Sequence, residues 1–294
     1  MIFFSVLRAI THHPLNRKNK LKAIMRFLKW QVTSRLNPRP LVYQFTEKSK
    51  LMVQRGITGA TGNYYCGLME FDDMSFVLHF LRSGDQFVDI GANIGSYTVL
   101  ASAHLGAHTI AFEPLPATFG YLKDNIAVNQ IENKVTMFNL ALGSQKGEID
   151  FTSTAGAANH VARAEDKNII KVPVETLDSM MTGKKTPLLI KIDVEGFETE
   201  VIAGGMETIH NPAVKAIVIE LRGHGARYGY DEQKLNDKLV AASFKPYHYD
   251  GFKRKLSLLD SYFGAENTIY IRDIDFVNER VASAPKIKMM GYEI

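Results

Sequence analysis

The chain has 294 residues, 46% of them hydrophobic, enough for one large core with an added segment. Its single cysteine, Cys66, excludes an intrachain disulfide and a cysteine-based zinc site, and no apolar run approaches the ~20 residues that span a bilayer. The net charge of +4 hides a division: residues 1–50 carry eleven Lys or Arg against Glu47 alone, a local +10, while the remaining 24 basic and 30 acidic residues give −6. A mildly acidic body with a basic arm argues against a nucleic-acid substrate.

In chain order, Met1 to Ile10 is apolar apart from Ser5 and Arg8. It lacks the leading charge and small-residue cleavage site of a secretory signal, so a cytoplasmic protein is expected. Leu21, Ile24, Leu28, Val32 and Leu36 recur at three-to-four spacing. They predict a helix with one apolar stripe, broadened by Phe27 and Trp30, and a basic face of Lys22, Arg26 and Lys29. Asn37-Pro38-Arg39-Pro40 stops that helix and closes an amphipathic arm over residues 1–40. The stripe is expected to pack on the rest of the protein. The other use open to it is contact with an anionic membrane surface, with Trp30 at headgroup level. An extension follows over residues 41–84: short strands at 41–45 and 50–54, a Gly- and Tyr-rich loop at 56–67, and a helix at 71–81 ended by Ser83-Gly84.

From residue 85 to 275 strands and helices alternate. Strands are predicted at 87–90, 108–112, 135–140, 188–194 and 216–221, with 244–249 and 268–271 closing the sheet. Helices are predicted at 96–105, 116–129, 197–209 and 235–242, and strands at 147–152 and 169–174 read as a hairpin-like insertion. The pattern is that of a doubly wound α/β fold with a mostly parallel sheet. Residues 276–294 are read as a tail.

Asp89-Ile90-Gly91-Ala92-Asn93-Ile94-Gly95 lies between a buried strand and a helix, where such sheets bind ligands. A dinucleotide fingerprint would read G-x-G-x-x-G; here Asn93 holds the second glycine position and Gly95 comes two residues later. An acid opening the turn would repel a pyrophosphate, whereas S-adenosylmethionine carries no phosphate. Glu113 ends the next strand, and a carboxylate there can accept from both ribose hydroxyls. A second group, Lys191-Ile192-Asp193-Val194-Glu195-Gly196, crowds two acids and a lysine at another strand end, and Glu220 ends the strand after it. Strand alternation places Lys191, Asp193 and Glu195 on one face. His224, between two glycines, is a further candidate base, though such a residue more often lies on the surface. A divalent cation on Asp193, Glu195 and Glu220 is an alternative use of those carboxylates; no metal is assigned.

Together, Phe87 to Gly95, Phe112-Glu113-Pro114, Asn139-Leu140-Ala141-Leu142-Gly143 and Lys191 to Gly196 resemble the ordered motifs of the FkbM family of methyltransferases. The likeness covers about residues 87–221, and the Lys-Ile-Asp-Val-Glu-Gly strand end is its more specific part. It implies a class I, Rossmann-like methyltransferase sheet and O-methylation of a hydroxyl on a sugar, glycan or polyketide-like acceptor. It further implies that Asp89, Gly91, Ala92, Asn93, Gly95, Glu113, Pro114, Ala141, Leu142 and Asp193 surround S-adenosylmethionine. Asp193, Glu195 and Glu220 are then the catalytic candidates. Arg222-Gly223-His224-Gly225 has no counterpart in the family pattern, so the acceptor side is unassigned. Two other classes stay open: a nicotinamide-dependent oxidoreductase, disfavoured by the turn spacing, and a non-catalytic binding module on the same fold.

Overall fold

Runs of Ile, Val and Phe that are apolar at every position belong inside a sheet covered on both faces, and that is where these runs lie. The structure, a computed structural model, describes residues 2–37, 39–153, 159–264 and 267–294. Met1 and Pro38 of the N-terminal reading lie outside the described residues. The arm comprises α1 (Ile2–His12), a 3₁₀ turn and α2 (Lys20–Leu36). Strands β1 (Leu41–Thr46) and β2 (Ser49–Val53) form a separate antiparallel pair, followed by α3 (Thr58–Cys66) and α4 (Phe71–Phe80).

The sheet then begins with β3 (Gln86–Ile90), α5 (Ser96–Val99, continued by a π turn), β4 (His108–Phe112), α6 (Pro116–Asn129) and β5 (Val135–Phe138). Strands β6 (Ala141–Leu142), β7 (Gly147–Thr152) and β8 (Ile169–Glu175) form a small sheet of their own. The chain re-enters the main sheet through α7 (Leu177–Met181), β9 (Leu189–Ile192), α8 (Glu198–Ala203), α9 (Met206–His210) and β10 (Ala216–Glu220). It continues with α10 (Glu232–Ala241), β11 (Lys245–Asp250), β12 (Lys255–Leu258), β13 (Asn267–Ile271) and α11 (Ile274–Ala282), and ends in an antiparallel pair, β14 (Lys288–Met289) and β15 (Tyr292–Glu293).

The main sheet runs β12-β11-β13-β10-β9-β3-β4-β5. The five strands from β10 to β5 are parallel, and β13 enters antiparallel between β10 and β11. This is the doubly wound, class I methyltransferase-type sheet. Chain order reverses at β3, which has β4 on one side and β9 on the other, so the crevice for a ligand opens over the carboxyl ends of those strands. Side-chain alternation divides the core in two. Ile190, Ile192, Ile217 and Ile219 pack with Val201, Ile202, Leu235 and Leu239 on one face. Leu189, Ala216, Val218 and Ile269 pack on the other with α4, α11 and the N-terminal arm.

Four expectations are corrected. Residues 58–66 form α3 rather than a loop, because tertiary packing overrides the low helix propensity of glycine. Gly62 lets Met69 approach so closely that an added Cβ would stand 2.1 Å from its sulfur. The helix expected at 197–209 is broken at Gly204-Gly205, where a Cβ on Gly204 would meet the Gly143 carbonyl oxygen at 2.0 Å. Strand β12 and helix α11 were not anticipated; Val277 and Val281 of α11 join the main core.

The fourth correction concerns α2. Its packed face is Ala23, Phe27, Trp30 and Ser34, while Leu21, Met25, Leu28, Val32 and Leu36 point outward. Aromatic side chains win the inner face: Phe27 meets Tyr65 and Trp30 meets Tyr64, each pair with ring centres 5.3 Å apart. Arg26, assigned to a solvent face, instead reaches inward, with Nε donating to the Tyr65 carbonyl at 3.1 Å and Nη2 to Asn16 Oδ1 at 2.8 Å. Cys66 is buried beside these tyrosines, and burial pushes its thiol up to about 11. None of the described helices is long and apolar enough to cross a membrane.

Candidate active site

A cavity of about 260 Å³ opens over the carboxyl ends of β3, β4, β9 and β10. Its walls include Gly91, Ala92, Asn93, Glu113, Pro114, Ala141, Leu142, Asp193, Glu195 and Glu220. Of the cofactor and catalytic candidates named from the sequence, Asp89 and Gly95 are not on this wall, and neither is the candidate base His224.

Asp89 and Gly95 have internal roles. Asp89 is fully buried under the turn, where Oδ2 accepts from Thr98 Oγ1 at 2.6 Å and Oδ1 has no partner. Burial raises its pKa, opposed by the charge of Lys191. Gly95 has φ +87°, and a Cβ there would stand 2.5 Å from Leu122, so it seats α6 against the turn. Gly91 lines the cavity but has a second task. Its φ is +75°, and the atom that a Cβ would strike, at 1.8 Å, is the carbonyl oxygen of Asp193. The glycine therefore lets the two functional strand ends touch.

Glu113 is 5% exposed. Oε2 accepts from the Asn93 backbone N–H and Oε1 from that of Leu115, both at 3.0 Å. Burial pushes its pKa up to about 7 against those two hydrogen bonds. Asn139 donates to the carbonyl oxygens of Glu113 and Pro114, each at 2.9 Å, and holds the strand end in place. Each Glu113 oxygen keeps a lone pair for a ligand hydroxyl.

The other end of the cavity is crowded with charge. Lys191 Nζ donates to Asp193 Oδ2 at 2.9 Å and lies 4.8 Å from the centre of the Tyr97 ring. Burial would lower the Lys191 pKa, but Asp193, Asp89 and Glu70 outweigh it and hold the ammonium charged. Glu195 adopts φ +56° and Gly196 φ +103°. That loop is pinned by Glu198 Oε1, which accepts from the N–H groups of Val194 and Gly196, both at 3.1 Å. A Cβ on Gly196 would stand 2.7 Å from the His224 backbone, so this loop abuts the loop after β10. The fold thereby brings Glu195, Glu220 and His224 together: His224 Nδ1 lies 3.2 Å from Glu195 Oε2 and 3.7 Å from Glu220 Oε2. Burial, then the charges of Asp193 and Glu195, push Glu220 up to about 8. Burial and Asp193 likewise raise Glu195.

The sequence reading missed Glu70, Tyr97, Arg222 and Glu198. Glu70 lines the cavity and accepts from Tyr97 OH at 2.7 Å; burial and the charge of Asp193 raise its pKa. Arg222 Nη1 lies 3.4 Å from Glu220 Oε1. Glu70 carries no local signal, since it reaches the site only through the packing of α3 and α4 beneath the glycine turn.

Residues 89–246 match the Methyltransferase FkbM domain. The hexuronic acid methyltransferase AglP of Haloferax volcanii is 27% identical over 154 residues, 52% of this chain and 62% of that protein, so under two thirds of its length is matched. The 31-O-demethyl-FK506 methyltransferase FkbM of Streptomyces tacrolimicus is 27% identical over 206 residues, 53% of this chain and 78% of that protein. A crystal structure of methyltransferase FkbM from Methylobacillus flagellatus KT superposes with a TM-score of 0.47 at 16% identity, over 72% of this chain and 52% of that one. With more than half its length matching the domain, and with the motif residues gathered at the strand ends of a doubly wound sheet, the chain belongs to the FkbM family of methyltransferases.

Proposed function

We propose that the protein transfers a methyl group from S-adenosylmethionine to a hydroxyl of a small oxygenated acceptor, a sugar or polyketide-like molecule. The observation that carries this reading is the pairing of Glu113, at the end of β4, with the phosphate-averse glycine turn across one cavity from Asp193. The relatives named for hexuronic acid and for 31-O-demethyl-FK506 are described by acceptors of the same chemical class.

The residues present fit the cofactor. Glu113 has free lone pairs for the two ribose hydroxyls, and Ile90, Phe112, Leu115 and Leu142 give an apolar wall for a purine. The acidic far end suits the cationic ammonium and sulfonium, and the same acids oppose the pyrophosphate of a nicotinamide cofactor. When bound, S-adenosylmethionine supplies an electrophilic methyl group on a sulfonium that departs as a neutral thioether. The chain's own work is to orient an acceptor hydroxyl and to take its proton as the oxygen–methyl bond forms. Asp193 serves as that acceptor of the proton: it stands at the cavity wall, fixed by Lys191. Glu70 and Tyr97 support the same ion pair from behind.

Calorimetry with S-adenosylmethionine, its demethylated product and NAD tests the cofactor, and transfer of isotope-labelled methyl to hydroxylated glycans and lipids tests the reaction. Binding of the first two and not of NAD is expected. Tight NAD binding with none for S-adenosylmethionine would sink the proposal.

A further inference from the structure

We infer that Glu195, Glu220 and His224 form a binding site for a divalent cation at the acceptor end of the cavity. One ligand atom from each lies within 4.8 Å of the other two. Bonds of ~2.0–2.2 Å from an ion to imidazole and carboxylate leave neighbouring donors ~3 Å apart, so the three would draw together on binding, His224 Nδ1 least because it already lies 3.2 Å from Glu195 Oε2. Two of these atoms lack a hydrogen-bond partner although their heavy-atom neighbours are close. Glu220 is 8% exposed, and neither its Oε2 nor His224 Nδ1 makes a hydrogen bond, despite the 3.7 Å between them. Buried polar atoms left this way are costly unless a ligand completes them.

Charge points the same way. The cavity wall carries five carboxylates, Glu70, Glu113, Asp193, Glu195 and Glu220, against Lys191 and Arg222. Carboxyl groups outnumber cationic side chains on this wall, so the surroundings favour a cation over an anion there. A mixed imidazole and carboxylate set suits manganese, iron or zinc better than magnesium or calcium. The role at this position deepens the proposed function and rests on it: a cation would lower the pKa of an acceptor hydroxyl placed against Asp193.

The test is metal binding measured directly. Full-length protein stripped with chelator is titrated with Mn²⁺ alone, followed by paramagnetic resonance and calorimetry, beside Glu220→Gln and His224→Ala. One site per chain is expected, weakened at least ~10-fold in either variant. His224 is part-exposed, so its variant keeps the fold, and S-adenosylmethionine titration of all three proteins checks that. No Mn²⁺ binding, or binding that both variants retain, overturns the inference. If Mn²⁺ binds as expected while S-adenosylmethionine does not, the proposed function fails and the cation site stands.

A separate observation carries a second inference. The ridge Leu21, Met25, Leu28, Val32 and Leu36 of α2 faces solvent, with Leu21 71% and Leu36 80% exposed. Exposed Lys20, Lys22, Lys29 and Arg35 stand beside it on a segment of local charge +10. The geometry points to an anionic bilayer surface as its partner, the ridge entering the headgroup boundary and the cations meeting lipid charge at ~1 kcal/mol each. Sedimentation with phosphatidylglycerol vesicles at low salt, release at high salt and no sedimentation with neutral vesicles are expected. Leu28→Ser with Val32→Ser, both already exposed, should abolish it without changing the melting temperature. No sedimentation at low salt overturns the inference, as does a concentration-dependent dimer that the same double variant dissolves.

Discussion

The two ends of the cavity hold their carboxylates in opposite ways. At the β4 end each oxygen of Glu113 already has a backbone N–H donor, one from Asn93 in the glycine turn and one from Leu115 just beyond the strand. At the β9–β10 end Glu195, Glu220 and His224 approach one another, and Glu220 Oε2 and His224 Nδ1 make no hydrogen bond. A carboxylate saturated by the backbone is a rigid acceptor for a ligand of one fixed shape. Carboxyl groups pressed together repel one another as they ionise, and either a proton or a cation relieves that repulsion. On the proposed reading, the first end suits an invariant cofactor and the second a completing charge.

The largest expected effect comes from the residue that joins the two ends. Gly91→Ala forces a Cβ onto the Asp193 carbonyl oxygen in a backbone conformation that L-residues avoid. A loss of roughly 3 kcal/mol or more in stability is expected by urea unfolding, with cofactor binding lost as well. A wild-type unfolding midpoint in that variant would show that the ends are not in contact.

Next is the acceptor end alone. Asp193→Asn keeps a hydrogen-bond partner for Lys191 but cannot take a proton. Turnover should fall ~10²–10⁴-fold, while calorimetry finds S-adenosylmethionine affinity little altered. Equal losses in both would merge the two ends into one function.

Glu113→Gln sharpens the opposite side. The amide cannot accept from both backbone N–H groups, and it meets the ribose less well than a carboxylate does. Affinity for the cofactor should drop by ~1.5–3 kcal/mol, with turnover at saturating cofactor preserved.

The smallest effect is a dependence on pH. Burial raises Glu113 from 4.5 to about 7, so its contribution to stability is full below 4.5 and lost as pH rises through 7. Cofactor binding needs the ionised form and runs the other way, weakening as pH falls below 7. Wild type should therefore lose melting temperature relative to Glu113→Gln between pH 5 and 8. Its S-adenosylmethionine affinity should improve over that interval, while the variant's stays flat.

Most of the sheet was legible because β3, β4, β9 and β10 are short apolar runs closed by polar residues, and Pro116 marks the start of α6 where it occurs. The turn and Glu113 were legible because strand, glycine and acid follow one another locally. The acceptor end was only half legible. Glu195 and Glu220 announce themselves at strand ends, but the meeting of His224 with them depends on Gly196 sitting against the His224 backbone, a contact between distant loops. Glu70 was hidden because its position depends on α3, whose glycines read as a loop. The apolar ridge of α2 was seen in the sequence, yet which face packs was decided by Trp30, Phe27 and the inward fork of Arg26, a competition that periodicity does not weigh.

The roof of the cavity has a different standing from its floor. Phe151, Asn159 and Val161 lie on the wall but belong to the small β6-β8-β7 sheet and the segment beside it, outside the main sheet. The carboxylates instead grow from the ends of the central strands or, like Glu70, from the helices packed under them. Ala141 and Leu142 of the same small sheet line the cavity too, so changes of length or sequence in the insertion reshape its wall while leaving the strand-end carboxylates in register.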